Sequence, residues 1–557
     1  MPAWCDSRAW RVLDTDFSDG SRFLAHWAAW HTDSHVGQVL HYVVIAGRMP
    51  DAATLATGLQ ACSPLASQAS ELVCLWRGRE AGFHRFELST GRVLLTLCVG
   101  ALPSMLREQQ FMADAIVLDA SSETNVWDRW SLRSLTRLCR RGTRLQILGM
   151  SSHLRDILCE AGVVLDDAPD CVGHYGRFDP RWEPRDSRHR WRNAAPAPAH
   201  CAIVGAGLAG ATTAASLARR GWQVTVLDTS PTPAAGASGL PVALLVPQAS
   251  RDDNSRSRLS RAGVQLTRQW CAALLCQDED WAPSGVRQLF PDEPRTEPVW
   301  HESGAWIKPA RLVQACLNRP GVRFAGGCTV HGAIRYPDNW ALLDASGNEL
   351  VRATHLVLAA ADGTLPLLQR LRRADGGELP GLQRLRPMQS VGGQISWGMQ
   401  SDDEALHFPD TPINGRGHFL AHVPMDGRRA WFLGASYETA AAPRQNDAAS
   451  HRENWQRLAQ LSPSAAQVLA RRFENGEVRA WHGTRCTTPD RLPAVGPVQA
   501  IASPSTWISA GMGSRGLTYA VLCAELLAAQ LGAEPLPVEA RLARLLAASR
   551  LGPSDHL

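Results

Sequence analysis

Lysine is almost absent from this chain: Lys308 is the only one among 57 basic residues, so nearly every cation is an arginine. A lone arginine therefore says little about a purpose-built anion site. The 14 cysteines are scattered from Cys5 to Cys523 with no CxxC pair, and no HExxH occurs, so neither a zinc site nor a disulfide framework is expected. Buried thiols in a reducing compartment are the simpler reading. Nowhere do about 18 apolar residues run uninterrupted, and the start, Met1-Pro-Ala-Trp-Cys-Asp-Ser-Arg8, lacks a charged segment followed by an apolar one. No membrane and a cytoplasmic location are expected. With 45% hydrophobic and 20% charged residues, the chain also lacks the composition of disorder. A formal charge of +4 permits a nucleic-acid partner without requiring one.

What is present divides the chain. A length of 557 residues predicts two or three domains. Residues 181–199 are polar and then Pro/Ala-rich, without a period of 2.0 or 3.6, as a linker would be. Before it, apolar runs at 41–46, 92–97, 115–119 and 145–149 read as buried strands, alternating with helical patterns at 51–61 and 127–141. That alternation predicts an α/β domain over 1–180 with a mainly parallel, Rossmann-like sheet.

Directly after the linker comes Cys201-Ala-Ile-Val-Gly205-Ala-Gly207-Leu-Ala-Gly210, then a helical stretch to Arg220, then a second strand ending in Asp228. Strand, G-x-G-x-x-G turn, helix and acid-tipped strand is the order dinucleotide binding needs. Gly205 permits the tight turn, Gly207 lets backbone approach a pyrophosphate, and Gly210 lets helix and strand pack closely. The helix N-terminus offers free N–H groups and partial positive charge to the phosphates, and Asp228 is placed for ribose hydroxyls.

The fingerprint alone does not choose between NAD and FAD. A small-residue loop containing Ser238 and Gly239 follows it, and near the C-terminus Gly511-Met-Gly513-Ser-Arg515-Gly516-Leu517-Thr518 opens another long helix. A second Gly-rich turn at a helix N-terminus supplies donors for the electron-rich edge of a flavin, a need an NAD enzyme does not have. FAD is the expected cofactor.

Several stretches carry a resemblance: IVGAGLAG at 203–210, ARRGWQVTVLD at 218–228, GASG at 236–239, GASYE at 434–438, HRENWQRLAQL at 451–461, RCTTPDRLPAVG at 485–496, GSRGLTYA at 513–520 and GAEPLP at 532–537. Together they resemble the glycine oxidase/D-amino-acid oxidase superfamily, and within it the bifunctional tRNA 5-methylaminomethyl-2-thiouridine biosynthesis (MnmC) family. The resemblance implies a two-subdomain FAD domain over 200–557, α/β with antiparallel β. FAD-binding parts would lie at about 200–250, 305–365 and 480–557, and a substrate subdomain at about 251–304 and 366–479. It implies a tRNA partner and oxidative removal of the carboxymethyl group from 5-carboxymethylaminomethyluridine at the wobble position. Arg485 falls where the superfamily's carboxylate-binding arginine falls, and a guanidinium fork matches a carboxylate as lysine cannot. The bland reading of Arg485 is a structural pair with Asp490 or Glu438. Tyr437 and Gln394 are further candidates for the substrate side. The family usually reads Arg-Gly-Gln where this chain has Gly392-Gly393-Gln394.

The first domain resembles the family's S-adenosylmethionine-dependent methyltransferase half, with departures. Where the family has ETGFGTGLNFL, this chain has Asp14-Thr-Asp-Phe-Ser18-Asp19-Gly20-Ser-Arg-Phe-Leu24, so one loop glycine survives. The strand that would end in a ribose-binding acid reads Val44-Ile45-Ala46-Gly47, and the segment after Asp119 has lost Gly-Phe-Ala-Pro. A domain that folds without methylating is expected, which leaves S-adenosylmethionine in doubt. Arg129, Arg133 and Arg137, four apart, would form a basic stripe for phosphates on a helix over 127–141, or simply a solvated face. Two other functions stay open: an FAD oxidase of a small amine such as glycine or sarcosine, and a noncatalytic flavoprotein that binds RNA or protein. A monomer is the default expectation.

Overall fold

The computed structural model describes residues 8–33, 38–60, 65–76, 80–121, 127–166, 173–182, 196–290, 297–377, 379, 386–434, 436–439, 447–498 and 504–552. Most of the expected linker lies outside them. The chain forms two units. The first takes Met1–Pro198 with Arg219–Gly221 and Glu525–Leu545, and the second takes Ala199–Ala218, Trp222–Ala524 and Leu546–Leu557.

The first unit is built on eight strands: β1 Ala9–Asp14, β2 Val39–Ala46, β3 Gly82–Leu88, β4 Val93–Val99, β5 Ala113–Asp119, β6 Cys139–Leu148, β7 Val163–Leu165 and β8 His174–Phe178. Their order across the sheet is β3-β4-β2-β1-β5-β6-β8-β7. The five central strands β4-β2-β1-β5-β6 are parallel and the outer ones antiparallel. All eight residues of β2 are buried, as a central parallel strand covered on both faces must be. One apolar cluster gathers Leu13, Val43, Ile116 and Leu145, and a second gathers Val12, Tyr42, Val44 and Trp27. The alternation of side chains along each strand sends these two sets to opposite faces. Helix α1, Ser21–Asp33, joins β1 to β2.

The helix carrying the expected basic stripe is shorter than expected. The helix starting after Asp128, whose carboxylate caps Ser131 N–H at 2.7 Å, ends at Thr136, and residues from Cys139 on pair with β5 instead. Arg137 donates to the carbonyls of Leu106 and Gln109 at 2.9 and 3.1 Å, Arg140 pairs with Asp114, and Arg141 pairs with Asp179 at 2.7 Å. Strand pairing ends the helix before Arg140 and Arg141, while Arg137, its C-cap with helical backbone angles, keeps the spacing of Arg129 and Arg133 but directs its guanidinium to those carbonyls.

In the second unit a six-stranded sheet runs in the order Val322–Ala325, Gln223–Leu227, His200–Val204, His355–Leu358, Ser505–Ala510, Ala494–Pro497. The first five are parallel and the last antiparallel. Helices Leu208–Arg219 and Gly516–Leu531 leave from the C-terminal ends of two of its strands. From Tyr519 to Ala524 no residue is more than 2% exposed, because that helix is apolar on every side. A separate, mainly antiparallel sheet contains the strands Gln389–Met399, Gly417–Met425, Arg428–Gly434 and Arg479–Thr487. This is the α/β plus antiparallel β architecture expected. No helix among the described residues is long and apolar enough to cross a membrane.

Candidate active site

The parallel sheet and the antiparallel sheet of the second unit border a cavity of about 1880 Å³, lined from Val204, Gly205, Gly207–Ala209, Leu227–Thr229, Ala235–Ser238, Ala359–Gly363, Thr484–Cys486 and Ser509–Thr518 among other stretches. A pocket for one small molecule is commonly about 300–1,000 Å³, so there is room for a dinucleotide and a substrate together.

The first glycine turn is fixed by contact. Gly205 sits at φ +109°, and a Cβ there would lie 2.4 Å from the Ala359 carbonyl oxygen; a Cβ on Gly210 would lie 1.8 Å from the Gly205 oxygen. Gly207 lines the cavity, where a Cβ would meet the Ser238 hydroxyl at 3.1 Å. Asp228 faces the cavity and braces the turn: one oxygen accepts from Ala206 N–H at 2.7 Å, the other from Ser230 N–H at 2.9 Å. Ser238 accepts from Leu208 N–H at 2.9 Å, which ties its loop to the helix N-terminus. Gly239 does not reach the cavity; its bare Cα lets the loop close on the Ala234 carbonyl, 2.6 Å from where a Cβ would be.

The second turn enters from the strand Ser505–Ala510. Gly511 and Gly513 take φ +74° and +56°, and every residue from Gly511 to Thr518 borders the cavity, Arg515, Gly516 and Leu517 included. A third contributor, within the stretch 305–365 but with none of its residues singled out, is the small-residue segment Ala359–Gly363 after the strand His355–Leu358, with Ala361 at φ +51°. Its signal was present, an apolar run followed by Ala-Ala-Ala-Asp-Gly. Two bare-backbone turns at helix N-termini, an acid behind the first, and a third backbone wall fit the pyrophosphate, ribose and ring system of FAD.

Across the cavity stands Arg485. Its guanidinium carbon lies 4.8 Å above the Tyr437 ring, and the Tyr437 hydroxyl donates to Ser514 Oγ at 3.2 Å. Burial pulls Arg485 below the usual guanidinium pKa, with Tyr437 opposing, and no carboxylate among the described residues pairs with it. Asp490, one structural partner considered, is engaged by Arg550 at 2.8 Å; the side chain of Glu438, the other, lies outside the described residues. Room for the guanidinium comes from Gly393, whose Cβ would fall 2.6 Å from Arg485 Nη1.

Gln394 lies elsewhere. It is fully buried and absent from the cavity wall, its amide donating to the Asp447 carbonyl at 3.3 Å. Successive strand residues face opposite ways, so the neighbour of Gly393 points away from Arg485. In its place the structure brings His418 to the cavity, on a strand where it pairs with Gly434. Burial, reinforced by Arg485, lowers His418 to about 4, so it is a neutral imidazole and adds no second cation beside Arg485.

The family model for FAD dependent oxidoreductases of the DAO type matches residues 200–299 and 274–530. The tRNA 5-methylaminomethyl-2-thiouridine biosynthesis bifunctional protein MnmC of Albidiferax ferrireducens is 44% identical over 98% of this chain and 94% of its own length. The chain belongs to the MnmC family. The MnmC protein of Polaromonas naphthalenivorans is 40% identical, over 99% of this chain and 92% of that one. Among solved structures, glycine oxidase from Bacillus cereus covers 60% of the chain at 16% identity with a TM-score of 0.46. In MnmC terms, the second unit is the FAD-dependent oxidoreductase of the pair.

Proposed function

We propose that this protein acts in the cytoplasm on the wobble uridine of tRNA and oxidatively removes the carboxymethyl group of 5-carboxymethylaminomethyl-(2-thio)uridine, leaving the aminomethyl form. The observation that carries the reading is a half-buried guanidinium on the wall of the cavity that the two glycine turns also line, with no carboxylate paired to it among the described residues. The reacting side chain is an N-substituted glycine, and its carboxylate would supply the anion that Arg485 does not have among the described residues. Bound FAD supplies the two-electron acceptor for the C–H bond between amine and carboxylate, after which water takes the nitrogen's place on that carbon and glyoxylate and a primary amine leave. Arg485 clamps the carboxylate with two parallel N–H bonds, and Tyr437 holds the guanidinium from behind through its ring face and its anchor on Ser514. The clamp fixes where the adjacent carbon lies, which is the main service such a reaction asks of the protein. The relatives' name, with its tRNA product, and the size of the cavity both favour a nucleoside over a free amino acid.

Anaerobic mixing tests this. Undermodified tRNA carrying carboxymethylaminomethyluridine is expected to bleach the bound flavin and release glyoxylate, whereas glycine and sarcosine do so weakly or not at all. Bleaching by sarcosine but not by tRNA would make this a small-amine oxidase, and no bleaching by either would make it a binding flavoprotein.

A further inference from the structure

In a doubly wound sheet the ligand crevice opens where neighbouring strands send their connections in opposite directions, at their C-terminal ends. In the first unit that point lies between β1 and β5: the chain leaves β1 toward β2 and leaves β5 toward β6. The strands end in Asp14 and Asp119. Between the two carboxylates lies Arg22, from the first turn of α1. Its Nε is 3.2 Å from Asp14 and its Nη1 3.0 Å from Asp119, while Nη2 donates to the Asp16 carbonyl at 3.0 Å. The acids are themselves held. Tyr42 donates to Asp14 at 2.8 Å, and Asp119 accepts from Ser121 N–H at 3.0 Å. Asp14 and Tyr42 are buried to 1% and 0% exposure.

The loop over this point is filled too. Phe17 lies against Gly20, its ring 2.9 Å from where a Cβ would be, and stacks on Trp76 at 5.2 Å. Asp19 is spent on the start of α1, accepting from Ser21 N–H at 2.9 Å. Ser18 keeps φ +52°, a left-handed conformation that favours glycine, although it is not one. β2 ends in Ala46, so no carboxylate waits there for a ribose. These residues do not fit the S-adenosylmethionine that the family resemblance implies.

We propose that Arg22 is the permanent occupant of this crevice, an internal cation locked between Asp14 and Asp119, so that the first unit is closed to S-adenosylmethionine and transfers no methyl group. Entry of the cofactor's cationic end would require Arg22 to leave both carboxylates. The primary amine produced by the oxidoreductase half therefore leaves the protein unmethylated, and a methyl transfer by a separate catalyst must consume it. The lock does not depend on the oxidase reading.

The test uses the full chain with flavin bound. Titration with S-adenosylhomocysteine is expected to give no saturable heat and no shift in Tm, and tRNA turned over in the presence of S-adenosylmethionine should contain only the aminomethyl nucleoside. Saturable binding, or any methylaminomethyl product, overturns the proposal. Arg22→Ala should lower Tm and Arg22→Lys should recover part of the loss; an unchanged Tm in Arg22→Ala shows that there is no lock. Flavin bleaching by tRNA, read in the same samples, reports separately on the oxidase reading and should be unaltered by either substitution.

Discussion

Arg485 is a half-buried, partly desolvated cation without an anion among the described residues, and a protein keeps such a group only where something pays back its desolvation. The bound carboxylate would do so. Arg485→Ala should weaken productive binding by about 3–5 kcal/mol, the scale for removing one partner of a buried charge pair, with flavin content unchanged. Arg485→Lys should recover little, because one ammonium cannot form two parallel bonds. Anaerobic flavin reduction against tRNA concentration measures both, and wild-type kinetics in Arg485→Ala would retire the assignment. At this scale the sequence was informative where a residue sat in a patterned neighbourhood, as Arg485 does before the Pro489–Pro493 turn. It was uninformative about Gln394, because facing in or out on a strand is decided by a register of one residue, which composition does not encode.

The glycines act at the scale of elements, through what they let approach. Gly393→Ala puts a methyl 2.6 Å from Arg485 Nη1 and 2.7 Å from the Ser436 carbonyl, so the guanidinium must shift while the flavin turns stay in place. Overpacking of this kind costs about 1–3 kcal/mol, and the expected result is a flavin-replete protein with weakened substrate reduction. Gly210→Ala sets its methyl 1.8 Å from a backbone oxygen in the first turn, where nothing flexible can give; the expected result is loss of FAD, read by absorbance of the purified protein. If Gly393→Ala loses FAD and Gly210→Ala keeps it, the assignment of these two elements is reversed. The two flavin turns were legible because their spacing is dictated by the ligand. The helix expected over 127–141 was half wrong because residues 139–148 pair with β5, and a ladder of hydrogen bonds to a neighbouring strand outweighs the weak preference of arginines spaced four apart.

Over the whole molecule, burial leaves its mark on acid stability. His41, His355 and His418 are each lowered to about 4, all chiefly by burial, with Glu534 opposing it at His41 and Arg485 adding to it at His418. An unfolded histidine titrates near 6.5. A depressed pKa means the unfolded chain binds protons that the folded chain refuses, so each site contributes stability above about pH 6.5 that is lost as pH falls toward 4. Each site contributes at most about 3 kcal/mol, and the three act in the same direction. Glu534, whose burial cost is outweighed by Arg220 and His41 so that it is held low, has the same sign, but its contribution is lost only from the ordinary carboxylate value near 4.5 downward, so it touches only the acid end of the window. Thermal unfolding followed from pH 7.5 to 4.5 should therefore show Tm falling steadily below pH 6.5, before most carboxylates titrate. His355→Gln separates this from general acid sensitivity: burial alone lowers that histidine, and its ring packs edge-on against Trp222 at 4.9 Å. The variant should begin less stable at pH 7.5 and then lose less on acidification, converging on the wild type near pH 4.5. Parallel curves for the two proteins would mean that His355 is protonated as easily folded as unfolded, and that the acid sensitivity arises elsewhere.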